Sequence, residues 1–380
     1  MNADVVIAGG GIYGLGVARL LAARDLSVIV LEANRIGHGA SAGLGHRGLR
    51  AMGRDPRELP LIRRSYDLWN RLENELPTSI HLERRGLLLT YSETITGLNG
   101  GFKSAPARQH LQLAFGIPTE LLTHNEIHRL EPALADDIVG GLYTPNDGSV
   151  DHSRVLKGLE QAAIEAGVQI LHGEGITGVA SDSARVTSVE TIQRTISVNR
   201  DVILLMNASV PAFLESHFAV SLPVWTAYPT VAVSEPFDSV PVSRSIKHDA
   251  RTLTIKPLPD HRVMISGGWS GRYHRGAGKG VATTASITGN TDAAVRTVPA
   301  LADITTERVE ADHPESVSID GIPIIDRIPD MKNCFYATGW TGHGYAIAPA
   351  VIEALDQWLT SGTKPASLVP FQARRFQHIR

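Results

Sequence analysis

The first residues able to do chemistry are three glycines and a carboxylate near the N-terminus. Gly9, Gly11 and Gly14 stand in Gly-x-Gly-x-x-Gly spacing after the β-branched run Asp4-Val5-Val6-Ile7-Ala8. The segment that follows, Ile12 to Arg24, has Val17, Leu20 and Leu21 at helical spacing. Between a strand and a helix, Gly9 permits a tight turn and Gly11 lets the backbone approach a diphosphate. Gly14 lets helix and strand pack closely. The helix start at Ile12 and Tyr13 then offers unpaired N–H groups and a partial positive charge to phosphate. Glu32 ends a second β-branched run, Leu26 to Leu31, where a carboxylate accepts from ribose hydroxyls and repels a 2′-phosphate. Without these flanks the glycines would read as an ordinary turn. With them they predict a dinucleotide site without a 2′-phosphate.

Two further groups invite chemistry. Gly339-Trp340-Thr341-Gly342-His343-Gly344-Tyr345 follows an apolar run, Cys334 to Thr338, and precedes a helical pattern from about Ala346 to Leu359. Gly342 and Gly344 would let backbone N–H groups reach an electron-rich edge of a ligand, with a helix N-terminus aimed at the same place. The other reading is a loop shaped only for packing. Gly45-His46-Arg47-Gly48-Leu49-Arg50 concentrates basic residues, which in a loop are exposed by default. The guanidinium of Arg50 suits bidentate binding of a carboxylate. Trp225, Tyr228, Trp269 and Tyr345 are candidate pocket walls, although aromatic residues are more often plain core.

The elements that must position these groups follow from patterning. Pro60 to Leu76 and Asp151 to Ala166 read as amphipathic helices, the second ended by Gly167 in a left-handed C-cap. Leu82 to Tyr91 reads as a strand and residues 118–134 as a polar helix. Val168 to Leu171 and Val202 to Met206 read as strands returning to the first sheet. Thr230 to Val233, Leu253 to Lys256 and Val263 to Ser266 alternate as an antiparallel sheet does.

Composition narrows the function classes. Lys and Arg number 36 against 39 Asp and Glu, so no basic excess exists to bind a nucleic acid backbone. Cys334 is the single cysteine, which rules out an intramolecular disulfide and a cysteine-based zinc site, and no His spacing suggests a metal. The apolar stretch from Val5 to Leu21 is broken by glycines and Arg19, so neither a signal peptide nor a membrane span is expected. A cytoplasmic protein is the expectation.

Over nearly its whole length the chain resembles the D-amino acid oxidase superfamily, in the branch with sarcosine oxidase, glycine oxidase and the hydroxyproline dehydrogenase β subunit. The resemblance runs, in order, through Val5 to Gly14, Gly39-Ala40-Ser41, Arg84 to Leu89, Gly148-Ser149-Val150-Asp151, Asp320 to Ile325, and Gly339 to Tyr345. It implies an α/β fold with an α+β insertion. A Rossmann-like FAD-binding domain is expected over 1–80, 142–215 and 316–380, and a mainly antiparallel-sheet substrate domain over 81–141 and 216–315.

The resemblance also implies non-covalent FAD and oxidation of a small amine or amino acid to an imine by hydride transfer. Electrons would pass to oxygen or another acceptor. Two other readings stay open: the flavin-bearing subunit of a multi-chain complex, and an NAD-linked dehydrogenase. By the resemblance Glu32 and Ala33 hold the ribose, Ala40 and Ser41 reach the diphosphate or flavin, and Ile176 meets the adenine. Gly339, Gly342, His343, Gly344 and Tyr345 close over the ring. Arg47 lies near the flavin, Arg50 clamps a substrate carboxylate, His46 tunes the flavin or the amine, and Tyr345 with Trp269 walls the pocket.

The chain also departs from the family. Asn207-Ala208-Ser209-Val210-Pro211 replaces a small Ala-Gly pair, and Ala346 replaces a carboxylate-binding lysine. The lysine that speeds reaction with oxygen falls near Met264, while Lys256 looks to belong elsewhere on the preceding strand. Slow oxygen reaction is therefore expected. Cys334 lies past His313, where the branch has its flavin-linked cysteine, and reads as core.

Overall fold

The computed structural model describes residues 1–41, 45–92 and 100–376. Its first sheet is built around Asn2–Ala8, which pairs in parallel with Val28–Glu32 on one side and Thr195–Leu204 on the other. Gln169–His172 and Cys334–Thr338 extend it in parallel, and Ile324–Arg327 closes one edge antiparallel. Valine, isoleucine and leucine dominate these strands because both faces are covered, as in other parallel sheets. Ile12–Ala22, His152–Glu165 and Gly344–Ser361 pack together, and Leu59–Glu75 lies along the last of these.

The second large sheet runs Thr306–Glu310, Val231–Ser234, Val263–Ser266, Thr254–Pro257, Ser245–His248, Leu87–Tyr91, Gly140–Thr144 and Glu120–Thr123. It is antiparallel except between Ser245–His248 and Leu87–Tyr91. The helix Thr284–Val295 sends Ala294 into a core with Ile246, Ile255 and Ile265 on one face. The opposite face, toward the first sheet's loops, carries the register pairs Lys247–Thr254 and Lys256–Met264.

Three expectations need correction. The segment 118–134 is not one helix: Glu120–Thr123 is an edge strand, and the helix starts only at His124. Thr123 and Glu126 form a reciprocal capping box that fixes that start. The expected boundary at 142 cuts through Gly140–Thr144, which pairs along its length in the second sheet. The strand expected over Val202 to Met206 is the end of the longer Thr195–Leu204, joined to it by the hairpin strands Ile176–Asp182 and Arg185–Thr191.

Candidate active site

The glycine turn is stereochemically committed. Gly9 has φ of +110°, and a Cβ there would lie 2.5 Å from the Leu205 carbonyl oxygen. A Cβ on Gly14 would lie 1.8 Å from the Gly9 carbonyl oxygen, which no rotamer relieves. Gly11 differs: nothing stands within 4 Å of its would-be Cβ. It is the N-cap of Ile12–Ala22, with no side-chain cap and no acidic residue in the first turn. The leading N–H groups, those of Ile12 and Tyr13 among them, therefore face an open cradle, as phosphate binding requires.

Glu32 is fastened beside this cradle. Its Oε2 accepts from Gly10 N at 3.0 Å and its Oε1 from Asn34 N at 2.9 Å. Each oxygen keeps a lone pair for a ribose hydroxyl. The Glu32 carbonyl accepts from Glu174 N at 2.9 Å, and Gly175 packs against Ala33. That brings Ile176, the first residue of its strand, to the same edge.

The two ends of the chain meet through Tyr13. Its ring stacks on Trp340 with centroids 4.1 Å apart, and its hydroxyl donates to the Gly344 carbonyl at 2.5 Å. The side chains of Ile12 and Tyr13 are buried, so their share in ligand binding is through the backbone. In the C-terminal loop, Gly339 and Gly342 take φ of +74° and +72°, and the space at the Gly342 Cβ position is open. Ser316 pins the loop, its Oγ accepting from Gly339 N at 2.9 Å and its carbonyl from Thr341 N at 2.8 Å. Asn207 explains the first departure. It takes φ of +48°, which Asn tolerates better than most residues, and its side chain ties Pro314 to Ser316.

Between these ends lies the basic strand His46–Leu49, paired antiparallel with Gly148–Asp151. Strand alternation sends its side chains to two sides. Arg47 turns toward the C-terminal loop: one terminal nitrogen donates to the Ser41 carbonyl at 2.8 Å, and the other is buried without a partner. Glu315 stands near it, with Oε1 buried and unpartnered. Such orphaned polar atoms beside an open glycine cradle are what a bound FAD would complete. Ala40 is held by a bond from its N–H to the Gly37 carbonyl at 3.2 Å.

Gly48 and Arg50 turn to the other sheet. Arg50 Nη1 lies 3.5 Å from Thr254 Oγ1, and the Lys256 Cε lies 3.6 Å from the Gly48 Cβ position. The view of Lys256 is thereby corrected. It pairs in register with Met264, and its Nζ lies 3.8 Å from the Met264 sulfur. A cation thus occupies the neighbourhood where Met264 seemed to leave none. Burial, with Arg47 and Arg50 nearby, pushes the Lys256 ammonium down to about 7. Burial also lowers His46, whose Nδ1 has no partner.

Tyr345 is fixed between Trp69, stacked at 5.4 Å, and His152, whose Nδ1 lies 3.1 Å from its hydroxyl. His343 Nδ1 lies 3.0 Å from buried Glu58, and burial lowers the imidazole to about 4, so it is neutral at pH 7. Trp269 does not join this group. Its ring lies across Gly289 of Thr284–Val295, on the far side of the second sheet, and is 43% exposed. Trp225 is exposed, and Tyr228 stacks on Tyr273.

Sequence reading missed Glu315, Glu58, Asp147 and Arg54. Asp147 accepts from Ala51 N at 2.7 Å and Tyr66 Oη at 2.7 Å, fixing the chain just beyond Arg50. Its position directly before the Gly148–Asp151 motif was the available signal.

Burial raises the Glu315 carboxyl from its ordinary value to about 7. An acid raised on folding stabilises below its unfolded pKa, and that contribution is lost as pH rises through the folded value. In flavin-free protein Glu315→Gln is therefore expected to gain stability relative to the parent between pH 5 and 8, by up to about 3 kcal/mol. Paired thermal melts across that range check it; a constant difference would contradict it.

The glycine turn and the C-terminal loop thus meet beside the basic strand, where one elongated cofactor could be held by both ends of the chain. Residues 4–358 match the family model described as FAD dependent oxidoreductase (DAO). The chain belongs to that family and its cofactor is FAD, so the NAD-linked reading falls away. It is 27% identical over 384 residues to the sarcosine oxidase subunit beta of Rhizobium meliloti (strain 1021), covering 98% of this chain and 88% of that one. It is 26% identical to the 4-methylaminobutanoate oxidase (formaldehyde-forming) of Paenarthrobacter nicotinovorans, covering 98% of this chain but 45% of that longer one. The L-proline dehydrogenase structure from P.horikoshii shares the fold, with a TM-score of 0.87, 22% identity, and 99% and 98% of the two chains covered. The glycine oxidase structure from Geobacillus kaustophilus does so with a TM-score of 0.82, 23% identity and full coverage of both. Among the described residues no helix is long and apolar enough to cross a membrane.

Cys334, the chain's single cysteine, is fully buried in the strand Cys334–Thr338, paired with Val202. Acid precipitation is accordingly expected to leave the flavin in the supernatant; flavin in the pellet would contradict this.

Proposed function

We propose that this protein oxidises the C–N bond of a small amino acid, a secondary amine or D-amino acid, whose carboxylate is held by Arg50. The observation that carries the reading is the placement of Arg50. Its guanidinium faces Thr254 across the gap between the two sheets, without a carboxylate partner among the described ion pairs. When bound, FAD supplies the acceptor for the hydride that leaves the carbon next to nitrogen.

The protein's own part is orientation and exclusion. The Arg50 guanidinium fixes the carboxylate, which leaves the neighbouring C–H bond one direction in which to point. Tyr345, locked by Trp69 and His152, is a rigid wall rather than a proton donor, since burial raises its phenol well above the usual value. The neutral amine of Lys256, present above about pH 7, is a group that could take the proton of a substrate ammonium. Ala346, where the family has a lysine, leaves Arg50 as the main clamp.

The test is anaerobic bleaching of the flavin by amino acids and N-methyl amines, each run beside its analogue without the carboxylate. Bleaching confined to carboxylates supports the assignment; equal bleaching by the analogues removes Arg50 from it.

Lys256 also bears on the electron acceptor. A cation at this place stabilises charge developing on oxygen. Lys256→Met is expected to slow reoxidation by oxygen by about 100-fold, a size typical of one lost electrostatic contact. The parent's rate should fall as pH rises through about 7, where the ammonium loses its proton, and the variant's should stay flat. Stopped-flow reoxidation across pH 6–9 checks both. Partner subunits, as the name of the sarcosine oxidase subunit beta implies for that protein, belong to the reading only if bleaching requires them.

A further inference from the structure

Beyond Arg50 the cations continue, and one substrate carboxylate does not account for them. Lys247 is paired in register with Thr254, the residue that faces Arg50, and therefore lies on the same face of the second sheet. Its Nζ lies 3.9 Å from the Cβ position of Gly53. Arg54 folds back so that its Nε lies 3.4 Å from the Arg50 carbonyl. Arg54 also lines a cleft of about 390 Å³, together with Arg108, Gln112 and His343 and the acids Asp55, Glu58 and Asp320.

Most of the nearby acids are already engaged. Asp147 is held by two backbone N–H groups and Tyr66, and Asp249 pairs with Arg108 at 3.1 Å. Glu58 is the exception: both its oxygens are buried without a hydrogen bond beside the neutral His343, and it offsets part of the charge of Arg50 and Arg54. Asp55 pairs with Arg57, and Asp320 with Arg375. Among the described residues neither Arg54 nor Lys247 has an acidic partner within ion-pair distance. Arg50 and Arg54 both lower the affinity of Lys247 for its proton, Arg50 the more, while burial and then Arg50 lower that of Arg54. Clustered, half-buried cations are retained where an anion completes them. The FAD diphosphate is not that anion, because its cradle is at Gly11.

We propose that the substrate is a dicarboxylic amino acid, with its first carboxylate on Arg50 and its second held between Arg54 and Lys247, beside Gly53 of the cleft wall. This rests on the amine-oxidising reading and deepens it. Arg108, tied to Asp249 at the rim, draws the anion inward without gripping it.

Two measurements on the holoprotein test it. In the first, malonate, succinate and glutarate are titrated against acetate, propionate and butyrate, read from the flavin difference spectrum. The best dicarboxylate should bind about 10- to 100-fold tighter than the best monocarboxylate, the size of a charge-assisted contact. In Arg54→Gln and in Lys247→Gln the ratio should collapse toward one. Both substitutions remove mutual repulsion, so thermal melts should show intact folding. Equal binding of the two series to the parent protein overturns the proposal.

In the second, anaerobic bleaching by N-methylglutamate and N-methylaspartate is compared with bleaching by sarcosine. Efficient bleaching by sarcosine that neither dicarboxylate exceeds overturns the second anion site and leaves amine oxidation standing. Tight dicarboxylate binding without bleaching by any amine supports the anion site and overturns the amine reading instead.

Discussion

Replacing Arg50 with Met is expected to lower kcat/KM for amino-acid substrates by about 100- to 1000-fold, while the fold holds or gains stability. The loss follows from breaking a charge-assisted, partly desolvated contact with the substrate carboxylate, worth about 3–4 kcal/mol. The stability result has a separate origin. Arg50 is held below its ordinary pKa by burial, and it is the largest influence lowering Lys247. Among the described residues its guanidinium makes one long approach, to Thr254 at 3.5 Å. Removing it therefore relieves repulsion and breaks little. A structural arginine would behave oppositely, losing stability together with activity. Steady-state kinetics beside a thermal melt separates the two cases. Amines without a carboxylate provide the internal control, since their turnover should change far less than that of the amino acids.

Gly11→Asp is the second substitution with a large expected effect: a folded protein that does not retain FAD. The Cβ of Asp would enter open space, and the backbone at Gly11, φ of −83° and ψ of −171°, suits any residue. Asp is also among the best N-cap residues, so the helix Ile12–Ala22 should gain rather than lose. The same side chain would take up the N–H groups meant for the diphosphate and set a negative charge against it. FAD affinity should fall by about 1000-fold, equivalent to losing two or three charge-assisted hydrogen bonds. Gly14→Ala is the contrasting variant, since its Cβ would sit 1.8 Å from the Gly9 carbonyl oxygen and the damage would be to folding itself. Flavin content after purification, with circular dichroism, distinguishes the pair. Flavin retained by Gly11→Asp would show that the diphosphate lies elsewhere.

These two variants also mark how far the sequence could be read. The cradle was legible because its constraints are local: a turn, a close approach and a helix start each dictate glycine within a few residues. Glu32 was legible for the same reason, as the residue that ends a strand. The C-terminal loop could be read from glycines after a buried strand, although the Tyr13–Trp340 stack that binds it to the other end could not.

What was not legible depends on pairing across strands or on burial without a period. Lys256 and Met264 meet through register, which neither residue's own neighbourhood encodes. Lys247 joins Arg50 through Thr254 in the same manner. Buried single acids such as Glu58 and Glu315 leave no pattern, because each is a lone polar residue inside an otherwise apolar or loop segment. Trp269 misled because its place in the chain, just after a strand of the second sheet, says nothing about which face its ring takes. The helix expected over 118–134 failed for another reason: the capping box at Thr123 sets a start that composition alone does not reveal.

The central claim is that Arg50 and the flavin site together oxidise the C–N bond of an amino acid. One anaerobic turnover measures it most directly: holoprotein mixed with an amino acid that bleaches it, then quenched and assayed for products. The account predicts one equivalent of carbonyl compound and one of freed amine or ammonia for each flavin bleached, with Arg50→Met slowing the bleaching. Bleaching without release of a carbonyl and an amine, or bleaching at the parent rate in Arg50→Met, would contradict it.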